Sequence, residues 1–298
     1  MSKIQGIIFP VLFSILVAAC TPSDSMAAPP MRGQGNPYAY QAPAEPLRPA
    51  PLPTASQAPS VYAPSAIVVD AITGRVLFEK NADVKRAVAS TQKLLTAICV
   101  THAGPLSDPV TVQPIDTQVE PTKVYIRPGE TYERGYLLKA LLVKSGNDIA
   151  LALARDVGGS KEGFANVMNR TAFQLGMRNS RFANPHGLTE PNQFSTARDM
   201  AILGRAAIQD PFIRSCVNQQ SMVFTHPDGK TRKLNNTNRV LKRVDYCTGM
   251  KTGTTDAAGR CLVSSGSLNG RAVVVVVLGS NSANVWDDSE KLLRWSLE

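Results

Sequence analysis

The sequence predicts an α+β domain in which one antiparallel sheet is assembled from both ends of the domain and helices pack on it. Two observations lead to this fold class. In the part of the chain that follows residue 64, strand-like segments lie near both ends. The segments between them repeat apolar residues at helical spacing. Strands at both ends with helices between them are typical of such a sheet.

The first part of the domain predicts a β-hairpin followed by a helix. The apolar segments 66–70 and 76–78 flank a turn at Thr73-Gly74. The segment Thr91–His102 is expected to be helical because its apolar residues fall on one side.

Four more helices are predicted in the middle of the chain. Two apolar segments, 137–143 and 149–157, flank a short loop. The clearest helix covers 164–175, where apolar residues recur three and four positions apart and a glycine follows. The last begins at Ser195, a candidate N-cap, and ends before Asp210.

The C-terminal third predicts strands and a closing helix. After a turn at 227–229, a strand is expected to end at Met250–Thr252. Strands 261–265 and 271–279 are joined by an Asn-Gly turn, which favours a two-residue hairpin. The second contains five consecutive valines, a pattern that suits a central strand covered on both faces. Residues 285–297 predict the closing helix.

The first twenty residues predict export to a periplasmic or other extracytoplasmic location. Lys3 is followed by the mostly apolar Ile4–Ala19, the pattern of a signal peptide. The segment ends in Ala-Ala-Cys and resembles the lipobox of bacterial lipoproteins. We therefore expect Cys20 to be lipidated and to anchor the protein in a membrane. Ordinary secretion with cleavage after Ala28 is the alternative.

A proline-rich segment separates this signal from the domain. Eleven of the 21 prolines lie between Thr21 and Pro64, and this composition favours extended, disordered chain. The predicted organisation is therefore a signal peptide at 1–20, a disordered linker at 21–64 and one globular domain at 65–298. The linker would let the domain move away from its anchor, or it is a terminus without a geometric role.

Composition excludes several classes of protein. With 43% hydrophobic residues the chain is not fully disordered, and no uninterrupted apolar run reaches 18 residues, so it is not a multi-span membrane protein. The net charge of +9 permits either nucleic acid or an anionic envelope surface as partner. No metal site is expected, because the three histidines are far apart and Cys-x-x-Cys is absent. Export allows two disulfide bridges, in three pairings, among Cys99, Cys216, Cys247 and Cys261.

Three short motifs carry the chemistry of the domain. They are Ser90-Thr91-Gln92-Lys93, Ser145-Gly146-Asn147 and Lys251-Thr252-Gly253. Single matches to the first two arise by chance, but their order and their expected placement make the set specific. The three are expected at a helix start, in an interhelical loop and at a strand end.

The first motif predicts an activated nucleophile. A serine hydroxyl is a weak nucleophile until a base removes its proton, and residues three apart share a helix face, so the amine of Lys93 can reach Ser90. Burial and the charge of Lys251 would both lower the pKa of Lys93 and leave its amine neutral. The free N–H groups at the helix N-terminus would stabilise an oxyanion.

The other two motifs are expected to hold the substrate. Ser145 and Asn147 could relay a proton and hold a substrate amide. Lys251 and Thr252 could bind a carboxylate, while Gly253 would let the substrate backbone approach the strand closely.

These motifs and their surroundings resemble the penicillin-interacting serine enzymes, and most of all the low-molecular-weight D-alanyl-D-alanine carboxypeptidases. The resemblance runs from about Ser65 to the C-terminus. It includes Ser145–Asp148, Met168-Asn169, Phe182–Leu188, Ser195–Met200, Asn236–Asn238 and Gly249–Thr255.

The resemblance implies a fold and an activity. The fold would be β-lactamase/transpeptidase-like, with a five-stranded antiparallel sheet, helices on its faces and a helical subdomain. Ser90 would be the acylated nucleophile, Lys93 its general base and Ser145 the proton relay. The reaction would release the terminal D-Ala from the D-Ala-D-Ala end of a peptidoglycan stem peptide. β-Lactams would acylate the same serine, and neither a cofactor nor nucleic acid would take part.

The resemblance also implies the binding residues. Asn147 would orient the substrate, and Lys251 and Thr252 would bind its terminal carboxylate. Gly253 would line the strand, and the backbone N–H of Thr254 would complete the oxyanion hole with that of the nucleophile. A histidine common at this position in relatives is replaced here by Thr254.

Three alternative functions remain open at this stage. A D,D-endopeptidase that cuts cross-links would use the same residues. A class A β-lactamase is disfavoured because Gly146 stands where those enzymes have Asp, and no Glu-x-x-Leu-Asn segment is present. A non-catalytic wall-binding lipoprotein is disfavoured by the intact Ser90/Lys93 pair. Since the chain ends at Glu298, we do not expect the additional C-terminal domain of many relatives.

Overall fold

The computed structural model describes residues 58–298. The predicted signal peptide, Cys20 and most of the predicted linker therefore lie outside the described residues. The strands are Ser65–Asp70 (β1), Val76–Lys80 (β2), Pro109–Thr111 (β3), Thr131–Glu133 (β4), Ser221–Thr225 (β5), Thr231–Asn235 (β6), Cys247–Thr255 (β7), Gly259–Leu268 (β8) and Arg271–Ser280 (β9). The α-helices are Lys93–Thr101 (α1), Arg134–Lys144 (α2), Asn147–Gly158 (α3), Lys161–Leu175 (α4), Ala197–Gln209 (α5), Pro211–Val217 (α6) and Val285–Leu297 (α7).

Five strands form one antiparallel sheet in the order β2-β1-β9-β8-β7. The predicted assembly from both ends is confirmed, because Ser65 at the start of β1 pairs with Leu278 in β9. The valine run lies in β9, the central strand, and Val273–Val277 are all buried. This burial on both faces is the reason for the unbroken apolar sequence.

Each face of the sheet has its own apolar core. On one face, helices α1 to α6 pack around a large cluster that includes Leu94, Leu138 and Phe164. On the other face, α7 packs with Leu292 and Leu293 against the alternate residues of the strands. The period-2 pattern of a strand sends successive side chains to these two cores.

Two small hairpins extend the helical side of the domain. Strands β3 and β4 pair with each other, and so do β5 and β6. The sequence predicted the turn at 227–229 between β5 and β6 but none of these four strands, of which β3 and β4 are only three residues long.

Several predicted boundaries were wrong for local reasons. The N-cap of α5 is Thr196 and not Ser195, because the Thr196 hydroxyl accepts the Asp199 N–H, while Ser195 faces the Ser180 hydroxyl. Met250–Thr252 lie in the middle of β7, which continues to Thr255. The short helix α6, which directly follows α5, was not predicted.

Part of the predicted linker packs with the domain. Val61 and Ala63 are buried, and the N–H groups of Tyr62 and Ala63 donate to the carboxylate of Asp288 in α7. Backbone donors that are satisfied by a buried carboxylate are a feature of ordered chain.

The four cysteines of the described part are all buried and free: Cys99, Cys216, Cys247 and Cys261. The two bridges that export would allow are therefore not formed. Burial also raises the pKa of the thiols, for example to about 11 for Cys261. Within residues 58–298, no helix is long and apolar enough to span a membrane, and no group of three or more His, Cys, Asp or Glu could hold a metal ion.

Candidate active site

The candidate nucleophile lies on a tight turn and not inside an α-helix. Ser90 belongs to a 3₁₀ turn, Ala89–Gln92, that leads into α1, and the predicted helix start at Thr91 falls within this turn. Ala89 has a positive φ of 48°, which is uncommon for a residue other than glycine. The turn thereby presents the Ser90 side chain to the cavity described below.

Two glycines let neighbouring segments press against this turn. A Cβ on Gly253 of β7 would lie 2.8 Å from the backbone nitrogen of Ser90, and a Cβ on Gly187 would collide with the carbonyl of Ala89. The sequence explanation for Gly253 was therefore incomplete, because the close approach that requires glycine is made by the nucleophile's own turn.

The amine of Lys93 is at the centre of the site. Its Nζ lies 2.8 Å from Ser90 Oγ, 2.7 Å from Asn147 Oδ1 and 2.8 Å from the carbonyl of His186. The side chain is fully buried. The expectation that the Lys93 amine reaches Ser90 agrees with this geometry, whereas the contact between Lys93 and Asn147 was not predicted.

The hydrogen bonds around this amine are compatible with a neutral form that can accept a proton. Nζ donates to the amide oxygen of Asn147, to the carbonyl of His186 and to Ser90 Oγ, whose hydroxyl donates to the same carbonyl at 3.1 Å. When the amine is neutral, its two hydrogens can stay on Asn147 and His186, and its lone pair can accept the proton of the Ser90 hydroxyl once that hydroxyl turns toward Nζ. Lys93 is thereby placed to act as a base toward this hydroxyl.

The surroundings shift the pKa of Lys93 in the same direction. Burial lowers this pKa well below its ordinary value, and the positive charge of Lys251 lowers it further, while the carboxylate of Asp148 opposes the shift. Both causes that the sequence suggested, burial and Lys251, are present.

The segment that supplies the His186 carbonyl is held by one asparagine. The Asn184 amide oxygen accepts the N–H groups of His186 and Gly187, and its NH₂ donates to the carbonyl of Leu188. The imidazole of His186 is largely buried, and burial together with the charge of Lys93 lowers its pKa to about 3. The backbone of this histidine therefore contributes to the site more directly than its neutral ring.

The second motif joins two helices at a sharp corner. Ser145 caps α2 in the left-handed conformation, with a φ of 71°, and its side chain is almost buried at the wall of the cavity. Asn147 is the first residue of α3, and its N–H donates to the carbonyl of Thr122. The expected interhelical loop is thus only two residues long.

Asp148, directly after this motif, holds the loop beside it. Its buried carboxylate accepts the N–H groups of Val124, Tyr125 and Ile126, as well as that of Ile149. Burial raises the pKa of Asp148, and these hydrogen bonds oppose the rise.

The third motif forms the opposite side of the cleft. Lys251 is fully buried, burial lowers its pKa to about 7, and its Nζ donates to the Thr252 carbonyl at 3.1 Å. The Thr252 hydroxyl donates to that of Thr237 at 2.6 Å. Thr254, two positions on, is exposed at the cavity.

A cavity of about 490 Å³ joins the two sides. Its lining includes Ser90 and Ser145 from the helical side and Thr252, Gly253 and Thr254 from β7. This volume lies within the range of pockets that bind drug-sized ligands. Five of the eight residues predicted for the site therefore line one cavity. The other three are buried next to them: Lys93 contacts Ser90 and Asn147, and Lys251 contacts the Thr252 carbonyl.

Sequence reasoning missed several contributors. It gave no role to the His186 carbonyl, to Asp148 or to Thr237. A backbone carbonyl has no side-chain signature, and the nearest signal was the turn-forming run around Asn184. The hydroxyl pair formed by Thr237 depends on tertiary packing that no local pattern reports.

Comparison with known proteins decides the family. A sequence model of the family described as D-alanyl-D-alanine carboxypeptidase matches residues 53–282. The chain belongs to this family. The predicted resemblance is thereby confirmed.

Other members of the D-alanyl-D-alanine carboxypeptidase family align over most of the chain. D-Alanyl-D-alanine carboxypeptidase DacC of Escherichia coli is 39% identical over 252 residues, which cover 80% of this chain and 62% of the relative. The D-alanyl-D-alanine endopeptidase of Escherichia coli is 35% identical over 266 residues, covering 87% of this chain and 84% of the relative. The chain spans 58–62% of the length of three curated carboxypeptidases that it matches.

A solved structure confirms the fold. The carboxypeptidase DacD of Francisella tularensis superposes with a TM-score of 0.76 at 30% identity, covering 86% of this chain and 73% of that one. The domain therefore has the β-lactamase/transpeptidase-like fold that the resemblance implied.

Proposed function

We propose that the protein is a serine D-Ala-D-Ala carboxypeptidase that removes the terminal D-Ala from peptidoglycan stem peptides through an acyl-enzyme on Ser90. The observation that carries the proposal is the buried amine of Lys93, which lies 2.8 Å from Ser90 Oγ and whose two other hydrogen-bond partners can only accept. Family membership supports the same reaction.

The acylation step follows from this geometry. Lys93 takes the proton of Ser90, and Oγ attacks the carbonyl carbon between the two D-alanines. The oxyanion forms where the backbone N–H groups of Ser90 and Thr254 can donate to it. The proton then passes through Ser145 to the nitrogen of the departing D-Ala.

The remaining steps use the other side of the cleft. Lys251 and Thr252 bind the carboxylate of the terminal D-Ala, and Asn147 orients the amide of the penultimate residue. Water activated by Lys93 hydrolyses the ester and frees Ser90. β-Lactams, which resemble the dipeptide, would acylate the same hydroxyl, and slow hydrolysis of that ester would distinguish the protein from a β-lactamase.

Mass spectrometry of a purified pentapeptide muropeptide tests this proposal. We expect loss of one alanine with the wild-type protein and no loss with Ser90→Ala, whose side chain lacks the nucleophilic oxygen. Ser160→Ala is the matched control, because Ser160 only caps α4. A labelled penicillin that attached equally to wild type and Ser90→Ala would contradict the assignment.

Endopeptidase cleavage of cross-links is the second candidate. Relatives named D-alanyl-D-alanine endopeptidase, from Pseudomonas aeruginosa and Escherichia coli, are each 35% identical to this chain. The same nucleophile and base would serve both reactions. Conversion of cross-linked dimers to monomers in the same assay would identify this activity.

We also propose that the protein is exported and anchored through a lipid on Cys20. The support is the signal-like residues 1–20 with their lipobox-like end, and a substrate that lies outside the cytoplasm. Labelling of cells with a radioactive fatty acid should mark the wild-type protein and not Cys20→Ser. Equal labelling of both, or of neither, would contradict the anchor.

A further inference from the structure

Two arginines line the active-site cavity without an acidic partner. The cavity lining contains three cationic side chains, those of Lys144, Arg239 and Arg260, and no Asp or Glu. Within residues 58–298 none of the three forms an ion pair with a carboxylate. Six of the other 15 arginines in residues 58–298 do form ion pairs, Arg134 and Arg198 among them.

Neutral groups hold the two arginines in place. The guanidinium of Arg260 donates to the hydroxyls of Thr254 at 3.0 Å and Ser282 at 3.1 Å. The guanidinium of Arg239 lies over the ring of Trp286, 5.4 Å from its centre. Such contacts orient a guanidinium without neutralising it, so the positive charges remain available to an anion in the cavity.

Both arginines are connected to the end of the cleft that receives the leaving group. Arg260 bonds directly to Thr254, two positions after Thr252 on β7. Arg239 follows Thr237, whose hydroxyl accepts from Thr252, by two residues. The charge is therefore concentrated near Thr252, to which the proposed function assigns the substrate's terminal carboxylate.

A D-alanine leaving group would not need all of these cationic side chains. It carries one carboxylate and one methyl group, and Lys251 with Thr252 already serves that carboxylate. The cavity of about 490 Å³ has room for a larger group. Guanidinium groups are suited to carboxylates because they can donate two parallel hydrogen bonds to one.

We propose that Arg239 and Arg260 form a second anion-binding subsite, which selects leaving groups that bear a carboxylate beyond the one next to the cleaved amide. This proposal rests on the proposed peptidase function and refines its substrate class. A neighbouring stem peptide joined through a cross-link is such a leaving group, because stem peptides carry several free carboxylates. The subsite would thus favour cleavage of cross-linked stems.

Three synthetic peptides test this subsite. They share one acyl part that ends in D-alanine, and their leaving residues are D-alanine, D-2-aminoadipate and the side-chain amide of D-2-aminoadipate. The last two have nearly the same size and differ by one carboxylate. For the wild-type protein we expect kcat/KM to be about 10-fold higher for the acid than for the amide, as charge-assisted hydrogen bonds predict.

Variants assign the preference to the two arginines. We expect the acid-to-amide ratio to fall to about 3 in Arg239→Gln and in Arg260→Gln, and to about 1 in the double variant, with partial recovery in Arg239→Lys. Arg178→Gln is the matched control, because Arg178 also stacks on an aromatic ring, that of Phe173, but does not line the cavity. Its ratio should stay near 10.

The possible results distinguish failure of the proposed subsite from failure of the proposed peptidase function. If wild type releases D-alanine from the first peptide but shows an acid-to-amide ratio near 1, the subsite is overturned and the peptidase function stands. An equal fall in the ratio in Arg178→Gln would overturn the subsite as well, because general surface charge would then explain the preference. If wild type cleaves none of the peptides, the proposed function fails and the subsite with it.

Discussion

The two sides of the active-site cleft differ in how many hydrogen-bond partners hold each cationic side chain. On the helical side, which consists of residues 89–93, 145–147 and 184–187, the amine of Lys93 is bonded to three groups of the protein itself. On the strand side, which consists of residues 251–254 with Thr237, Arg239 and Arg260, the cations face neutral hydroxyls, a carbonyl or a ring.

This difference separates chemistry from recognition. A base must be fixed before the substrate arrives, because catalysis gains most from groups that need no rearrangement during the reaction. A binding group contributes most to affinity when its interactions in the free protein are weak, because the ligand then displaces few favourable contacts. We therefore expect substitutions on the helical side to lower kcat and substitutions on the strand side to raise KM.

The largest effect is expected from removing the base. Lys93→Met keeps the volume of the side chain but leaves Ser90 without a proton acceptor, so we expect kcat to fall about 10³-fold with little change in KM. The rate of acylation by penicillin, measured by stopped-flow, reports on the same proton-transfer step directly. Lys161→Met, a substitution of a half-exposed lysine at the start of α4, is the control and should retain full activity. A fall that appeared only in KM would contradict the separation of the two sides.

The next largest effect is expected from the strand-side lysine. Lys251→Met should lower kcat/KM about 10²-fold, mostly through KM, because the carboxylate loses a cation. It should also move the rising limb of the pH profile to higher pH, because the charge of Lys251 no longer lowers the pKa of Lys93. An unchanged limb would show that burial alone sets the pKa of the base.

The same substitution is expected to stabilise the protein near neutral pH. Burial lowers the pKa of Lys251 from 10.5 to about 7, so between these values the unfolded chain holds a proton that the folded chain has lost. The wild-type free energy of unfolding therefore rises with pH across this window. At pH 7, Lys251→Met should be more stable by on the order of 4 kcal/mol, and this advantage should shrink toward pH 10. Urea unfolding at both pH values measures it, and an advantage that does not depend on pH would exclude titration as its cause.

The smallest effect is expected from the hydroxyl pair. Thr237→Ala removes the acceptor of the Thr252 hydroxyl without removing a charge, and we expect KM to rise about 5-fold at unchanged kcat, in line with one neutral hydrogen bond. Thr225→Ala in β5 is the matched control on an exposed strand position. A lower kcat in Thr237→Ala would instead place this residue with the helical side.

The Ser90/Lys93 pair was the part of the site most easily predicted from sequence. Ser90 and Lys93 are three residues apart, so local geometry alone brings them together. The valines of β9 and the Asn-Gly turn before it likewise indicate a strand and a hairpin turn through local sequence alone, and both predictions were confirmed.

The rest depended on contacts between distant segments. The His186 carbonyl reaches Lys93 only because Asn184 and Gly187 shape a separate loop around the nucleophile turn. The position of Met250–Thr252 was wrong because β7 continues as far as its partner β8 allows, which depends on pairing and not on local composition.

The pairing of β1 with β9 has a consequence for the order of events in biosynthesis. β1 is made first among the strands of this sheet and its neighbour β9 is made last among them, while a two-stranded hairpin of β1 and β2 alone is only marginally stable. The sheet therefore cannot close before β9 has been made, and contacts so far apart in sequence form slowly. A chain whose sheet is still open remains able to pass through a narrow membrane channel, as the proposed export requires.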